Sequence, residues 1–299
     1  MEPTKVADFV SNMMKNLMGE SNKNGNILLG FKKFDDFTGG LEPGSLITIG
    51  GRTAMGKTAL AISIVKNVTL GSNPVLYVNL ETTDKQFMDK FLSNATGIEL
   101  HKIRTCMLTD NDWKIFDDEI AKMNNLPLFV DSWATAKIDE LCRDISKTVQ
   151  ENGIKLVIID YLQLLYTNVS APSDNRYGDL NYYTRRLKSL AKELNIPIIL
   201  LSQLNRNAEN EKREGYYGHR PQLTDLRDSG TICDDSDMVI FLYRPDYYHI
   251  YEDEKGNDMR GKAELIVAKN RFGWSGDFLL ECNLDTISFN DYEPFKMDK

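Results

Sequence analysis

From about residue 45 onward the chain alternates short, almost wholly apolar runs with longer segments whose apolar residues recur every three to four positions. The runs are SLITIGG, PVLYVNLE, LPLFVDS, KLVIIDYLQLL, PIILLSQL, SDMVIFLYR, AELIVAKNR and GDFLLECN. Runs this short and continuous predict strands buried on both faces, and helical patterns between them predict βαβ units in a mostly parallel sheet with helices on both sides. The clearest helical pattern spans 178–194, where Leu180, Tyr183, Leu187, Leu190, Ala191 and Leu194 share a face. The last two runs follow one another closely and predict an antiparallel edge. A separate apolar stripe (Val6, Phe9, Val10, Met13, Met14, Leu17) predicts an N-terminal helix over 4–18, ending in the polar loop GESNKNGN. That stripe can fold back on its own domain or dock on a neighbouring subunit. Two polar loops, 167–179 and 206–222, follow predicted strands, where α/β folds gather their sites.

Composition narrows the class. With 299 residues, 41% of them hydrophobic, the chain can build its own core. Its 36 basic and 44 acidic residues give a net charge of −8, so any nucleic-acid contact must come from a local basic strip. The cysteines (Cys106, Cys142, Cys233, Cys282) have no paired zinc spacing and read as reduced core thiols. No leader-like start and no apolar stretch of bilayer length occur, so a cytoplasmic protein without a membrane contact is expected.

GRTAMGKT fits G-x-x-x-x-G-K-[ST], a pattern with on the order of a 1% chance of arising in a chain this long. It joins a buried strand to a helix with Leu60, Ile64 and Val68 at helical spacing, the context a phosphate cradle needs. Gly51, Arg52, Thr53, Ala54, Met55 and Gly56 would turn backbone N–H groups inward on phosphates, and the helix N-terminus adds positive potential. Lys57 would reach the β- and γ-phosphates of ATP, and Thr58 would ligate Mg²⁺. The plain alternative is a turn before a helix. Asp160 stands inside the run KLVIIDYLQLL; a carboxylate there needs a partner, which Mg²⁺ supplies, unless it merely opens a loop. Glu81 ends PVLYVNLE. Thr83 and Gln86 already form a capping-box pattern for the next helix, leaving Glu81 free to act as general base. Gln203 ends another buried run and can donate to a γ-phosphate; alone it reads as a surface glutamine.

These four elements, in this order, resemble the RecA-type motor domain of DnaB-type hexameric replicative DNA helicases. The resemblance covers roughly residues 28–290 and rests on GFKKFDDFTGGLEPGSLITIGGRTAMGKT, LE, IIDYLQLL, LSQLNR, DLRDSGTICDDSDMVIFLYR and AKNRFGWSG. It implies a RecA-like P-loop NTPase fold over 28–299, preceded by a linker segment over 1–27, and a ring that translocates 5′ to 3′ on single-stranded DNA during replication. Lys57 and Thr58 then bind ATP phosphates and Mg²⁺, Asp160 is the second metal-side acid, Glu81 the catalytic base and Gln203 the γ-phosphate sensor.

Further roles come from the resemblance alone. Lys269 and Arg271 of AKNR match basic residues that reach a neighbour's γ-phosphate, Arg271 as arginine finger; Arg227, Asp228 and Gly230 match the loop that grips DNA phosphates. Arg185 and Arg186, on the helix after the 167–179 loop, occupy the other channel-facing position. A homo-oligomer, a hexamer by resemblance, and a loader or primase are the implied partners. Asp228 and Asn270 depart mildly from the family's glutamate and glutamine, and no room is expected here for the family's N-terminal collar. A recombinase-like filament ATPase and a non-unwinding ring ATPase of the same fold remain alternatives.

Overall fold

The computed structural model describes residues 6, 14, 25–133, 136–162, 165–166, 176–205 and 218–293. Its centre is a nine-stranded sheet in the order β11-β10-β9-β8-β1-β7-β5-β2-β3. Six strands run parallel: β1 (Leu46–Gly51), β2 (Val75–Asn79), β3 (Leu128–Ser132), β5 (Leu156–Asp160), β7 (Ile198–Gln203) and β8 (Met238–Tyr243). β9 (Lys262–Asn270), β10 (Gly276–Asn283) and β11 (Ser288–Asp291) then add an antiparallel flank. The expected antiparallel edge of two strands, β9 and β10, is therefore three strands wide, because the short β11, which no apolar run marks, pairs beyond β10. The remaining two strands, β4 (Ala136–Lys137) and β6 (Leu165–Tyr166), pair only with each other.

Period-two alternation divides the core between the two faces of this sheet. Ile47, Ile49, Tyr77, Ile158 and Leu201 pack against Leu60, Ile64 and Val68 of α2 (Lys57–Leu70) and Phe87 and Phe91 of α3 (Asp84–Thr96). The intervening residues Leu46, Val78, Ile159 and Leu200 pack against Leu141 and Ile145 of α6 (Ile138–Asn152) and Leu187 and Leu190 of α7 (Arg176–Leu194). Because both faces are covered, every position of β1, β2 and β5 is buried, which is why these runs lack polar alternation. Each fully buried Leu or Ile contributes about 1.5–3 kcal/mol of transfer free energy. α5 (Asp110–Met123) and the short helices α1 (Lys32–Thr38), α4 (Leu100–Thr105) and α8 (Gly230–Asp235) lie around these.

Several expectations need adjustment. Residues 176–179, read as part of a polar loop, are the first turn of α7. The helix expected over 4–18 lies outside the described residues except for Val6 and Met14, both helical and 76% and 51% exposed. Of the four cysteines only Cys142 and Cys282 are core thiols, with burial pushing each up to about 11; Cys106 is exposed and Cys233 half-buried. Among the described residues, no helix is long and apolar enough to cross a membrane.

Candidate functional site

Strand register brings the predicted residues together. Gly51 at the end of β1 lies beside Gln203 at the end of β7, and Asn79 at the end of β2 lies beside Asp160 at the end of β5. Four parallel strands thus deliver their following residues to one carboxyl-end crevice, where open α/β sheets bind ligands. The crevice has a volume of about 200 Å³ and is lined by Thr53, Gly56, Lys57, Thr58, Glu81, Asp160 and Gln203 among others.

The cradle owes its shape to backbone conformations. Gly56, the N-cap of α2, has φ +96°, and a Cβ there would lie 3.2 Å from both Leu284 Cδ2 and Phe289 Cζ. No side chain caps this helix end among the described residues, so its first N–H groups remain as donors for an anion. Lys57 Nζ donates to the carbonyls of Gly51 (2.8 Å) and Arg52 (2.9 Å). Burial pulls its ammonium from the ordinary 10.5 down to about 8, against the opposing pull of the Asp160 and Glu81 carboxylates. A cation held in a desolvated cradle on neutral carbonyls is a cation short of negative charge, which a phosphate would supply.

Asp160 is 4% exposed, and its Oδ2 accepts from Thr58 Oγ1 (2.8 Å) and from Tyr77 OH (2.6 Å). The partner demanded by a buried carboxylate is therefore supplied, in this structure, by two hydroxyls. Tyr77 was not singled out from the sequence, although a tyrosine inside a buried strand has a hydroxyl that must find an acceptor. Thr58 and Asp160 present hard oxygen donors side by side, a set that fits Mg²⁺ when phosphate oxygens and water complete the shell. Among the described residues there is no cluster of three or more His, Cys, Asp or Glu able to hold a metal without such help.

Glu81 stands two residues beyond β2, exposed at the crevice rim. Thr83 and Gln86 form the expected capping box, each side chain bonding the other's backbone, so Glu81 has no capping duty. Partial desolvation and the nearby Asp160 push its carboxyl above the ordinary value, while Lys90 and Lys57 oppose this. A raised carboxylate pKa suits proton acceptance. Gln203 Nε2 donates to Thr53 Oγ1 at 2.6 Å, linking the end of β7 to the cradle.

Lys269 and Arg271 lie elsewhere. Asn270 pairs with Met238, which pairs with Ile47, so the end of β9 sits at the amino end of β1. Gly51 is four residues further along at about 3.3 Å each and two strand spacings across, roughly 16 Å away. These two cations are thus at the opposite sheet edge from the chain's own cradle. Lys269 Nζ donates to the carbonyls of Cys233 and Asp234, and Arg271 Nη2 to Asp234 O at 2.7 Å.

The predicted DNA-gripping segment is not an open turn: Leu223–Ser229 is a 3₁₀ helix containing Arg227 and Asp228, and Gly230 opens α8. The side chains of 227–231 lie outside the described residues. Arg185 is 75% exposed on its side chain and 3.9 Å from Asp235, whereas Arg186 is largely covered and faces Asp139 (3.8 Å) and Glu193 (3.6 Å). The two arginines therefore meet different elements, Arg185 the end of α8 and Arg186 the start of α6.

Comparison with known proteins identifies the family. The family model described as DnaB-like helicase C-terminal domain matches residues 26–291. A "Probable replicative DNA helicase" of Trieres chinensis is 36% identical over 265 residues, 88% of this chain and 56% of that protein. "Replicative DNA helicase DnaB" of Geobacillus stearothermophilus is 32% identical over 272 residues, 90% of this chain and 58% of that protein. The chain thus spans a little over half the length of these curated relatives. Among solved structures, the "ATPase Domain of G40P" superimposes with a TM-score of 0.86 at 28% identity, covering 98% of this chain and all of that one. A DnaB-like replicative helicase, described with its interactions with primase, gives 0.83 at 28% identity over 98% of this chain and 68% of the other. With a family model matched over residues 26–291 and a cradle, acid and glutamine in register at the carboxyl edge of a RecA-type sheet, the chain belongs to the DnaB-like helicase C-terminal domain family.

Proposed function

We propose that this chain is the motor of an ATP-driven DNA helicase, working as a homo-oligomeric ring, a hexamer, that moves 5′ to 3′ on single-stranded DNA in replication. One observation carries the reading: the phosphate cradle and the cations Lys269 and Arg271 occupy opposite edges of one sheet, too far apart to serve a single site. Each cleft is then completed by an arginine from the next subunit, and assembly gates hydrolysis.

In the proposed chemistry the α2 N-terminus and Lys57 hold the triphosphate, and Gln203 donates to the γ-phosphate. Glu81 accepts a proton from the water that attacks the γ-phosphorus, the bond to the bridging oxygen breaks, and ADP leaves. Mg²⁺, held by Thr58 and Asp160, would neutralise charge on the phosphate oxygens. Arg271 of one subunit stabilises the charge that develops in the neighbour's cleft, an effect worth roughly 10³ to 10⁵ in rate.

Arg227 and the backbone around Gly230, with Arg185 and Arg186, are proposed to bind DNA phosphates without regard to sequence. Arg185 is more open than Arg186, whose ion pairs would have to be exchanged for phosphate contacts. The segment 1–27, in which Val6 and Met14 are exposed, is proposed to pack on an adjacent subunit. A primase or helicase loader is a further proposed partner, by analogy with the relative described with primase. The cytoplasm is the proposed compartment.

Forked DNA with a 5′ tail tests the central claim: strand separation dependent on ATP supports it, and ATP turnover without unwinding favours a filament ATPase. Arg271→Ala subunits mixed with Lys57→Ala subunits should regain turnover that neither has alone. Arg227→Ala should lose DNA-stimulated turnover; unchanged DNA binding would remove that residue from the DNA surface.

A further inference from the structure

The two cations that the proposed function assigns to a neighbour's cleft are held, in their own chain, by a single short helix and one buried carboxylate. Cys233 and Asp234 belong to the last turn of α8, whose final carbonyls have no helical partner. Lys269 Nζ donates to both of these carbonyls, and Arg271 Nη2 donates to that of Asp234 at 2.7 Å. Arg271 is also tied by its backbone N–H to Asp237 O (2.8 Å) and by Nη1 to Asp237 Oδ1 (3.4 Å). Desolvation and the nearness of Arg271 hold the Lys269 ammonium below its ordinary value, as expected for two cations kept close on carbonyl oxygens.

Asp237 is 4% exposed, and its other oxygen is equally committed: Oδ2 accepts from Leu46 N (2.9 Å) and from Lys188 Nζ (2.6 Å). It therefore joins the first residue of β1, the helix α7 and the finger residue in one charged network. α8 is tied to α7 separately, since Thr184 Oγ1 donates to Asp235 Oδ2 at 2.6 Å. The amino end of α8 is Gly230, continuous with the 3₁₀ helix Leu223–Ser229 that carries Arg227. A shift of α8 along or about its axis cannot leave the hydrogen bonds of Lys269 and Arg271 unchanged.

We infer that Asp237 and the C-terminal carbonyls of α8 form a seat that sets Lys269 and Arg271 for a neighbour's cleft, so that movement of segment 223–230 on DNA is passed to the finger. Asp237 is a positioning residue here and touches no nucleotide. The inference rests on the proposal that Arg271 acts in trans.

Mixed assemblies test it. Lys57→Ala subunits keep seat and finger but lack a working cleft; Arg271→Ala subunits keep the cleft but lack the finger. Asp237→Asn retains an oxygen able to accept from Leu46 N and removes the charge that faces Arg271. Placed in the Lys57→Ala subunits, it is expected to cut the regenerated kcat at least tenfold with KM for ATP unchanged. Placed in the Arg271→Ala subunits, it is expected to change kcat less than twofold. Equal losses in both arrangements mark a structural role and overturn the inference, as does no loss in either. Failure of the parental mixture to regenerate turnover overturns the trans reading and this inference with it, and is seen before Asp237 is touched. If Asp237→Asn does not fold, the isosteric Thr184→Val tests the same seat through α8. At saturating single-stranded oligonucleotide it should lower regenerated turnover at least threefold only when carried by the Lys57→Ala subunits. Loss in both arrangements, or in neither, refutes it.

Discussion

Lys57 makes the proposed phosphate site measurable without any turnover. Its ammonium sits in the cradle on two carbonyl oxygens, and burial lowers it from 10.5 to about 8. At 1.36 kcal/mol per unit, the empty cleft disfavours the charged form by on the order of 3 kcal/mol, and a triphosphate close by should return much of that. Nucleotide binding is then accompanied by proton uptake: about 0.1 proton at pH 7, about half at pH 8 and about 0.9 at pH 9, if the bound value returns toward 10.5. By the same linkage, affinity for ATP is flat below about pH 7.5 and weakens by up to about tenfold per unit from pH 8.5 to 10. Titration calorimetry at each pH, in two buffers of different ionisation enthalpy, gives the proton count directly. Lys57→Arg is the control, since a guanidinium stays charged throughout this range and should abolish the uptake. Uptake below 0.1 proton at pH 8 in the native chain, or an undiminished half proton in Lys57→Arg, refutes the reasoning. The nucleotide-free protein carries the complementary signature. Between about pH 8 and 10.5 the unfolded lysine holds a proton that the folded one has released, so this group's contribution to stability rises with pH across that window.

Tyr77→Phe deletes one of the two hydroxyls on the buried Asp160 carboxylate; a charged hydrogen bond of this kind is worth about 2 kcal/mol, so Tm should fall roughly 4–8 °C by scanning fluorimetry. An unchanged Tm would mean that Thr58 suffices. Gly56→Ala forces a side chain into φ +96° and against Leu284 and Phe289, at a cost of about 1–3 kcal/mol, and should weaken binding of a fluorescent ATP analogue at least tenfold; native affinity would contradict the cradle geometry. Arg220 bridges Glu264 (2.7 Å) and Asp277 (2.6 Å), and Arg220→Ala takes the guanidinium away from both carboxylates, of which Glu264 is buried. A loss of about 3 kcal/mol, roughly 6–12 °C in Tm, is expected with kcat per folded subunit preserved; a kcat loss without a Tm change would give Arg220 a role in the chemistry.

Much of this molecule is legible from its apolar runs. Strands buried on both faces announce themselves as unbroken apolar segments, and the side chains that follow them, Lys57, Asp160 and Gln203, inherit their placement from parallel register. Short edge elements escape such reading. β11, SFND, buries only Phe289 fully, and β4 and β6 are two residues each, so neither length nor periodicity marks them. The site's supporting residues escape for another reason. Tyr77 lies inside an apolar run and Asp237 closes the acidic stretch just before β8, and their importance lies in partners 83 and 34 residues away, Asp160 and Arg271, which only the fold brings within bonding distance. For the KNR triplet only strand register shows that it lies at the amino end of β1, away from the chain's own crevice. The segment matched by resemblance to a DNA-gripping loop is instead a 3₁₀ helix, continuous with α8.

The placement of the proposed cradle and the proposed finger on opposite sheet edges has a bearing on symmetry. Two copies joined through such edges meet by unlike surfaces, a heterologous contact, and a two-fold dimer would pair like with like and complete neither cleft. An open row of n subunits always carries one cleft without an arginine and one arginine without a cleft, whereas a closed cycle wastes neither. Per-subunit turnover should therefore climb with assembly size as (n − 1)/n and step to its ceiling only at closure.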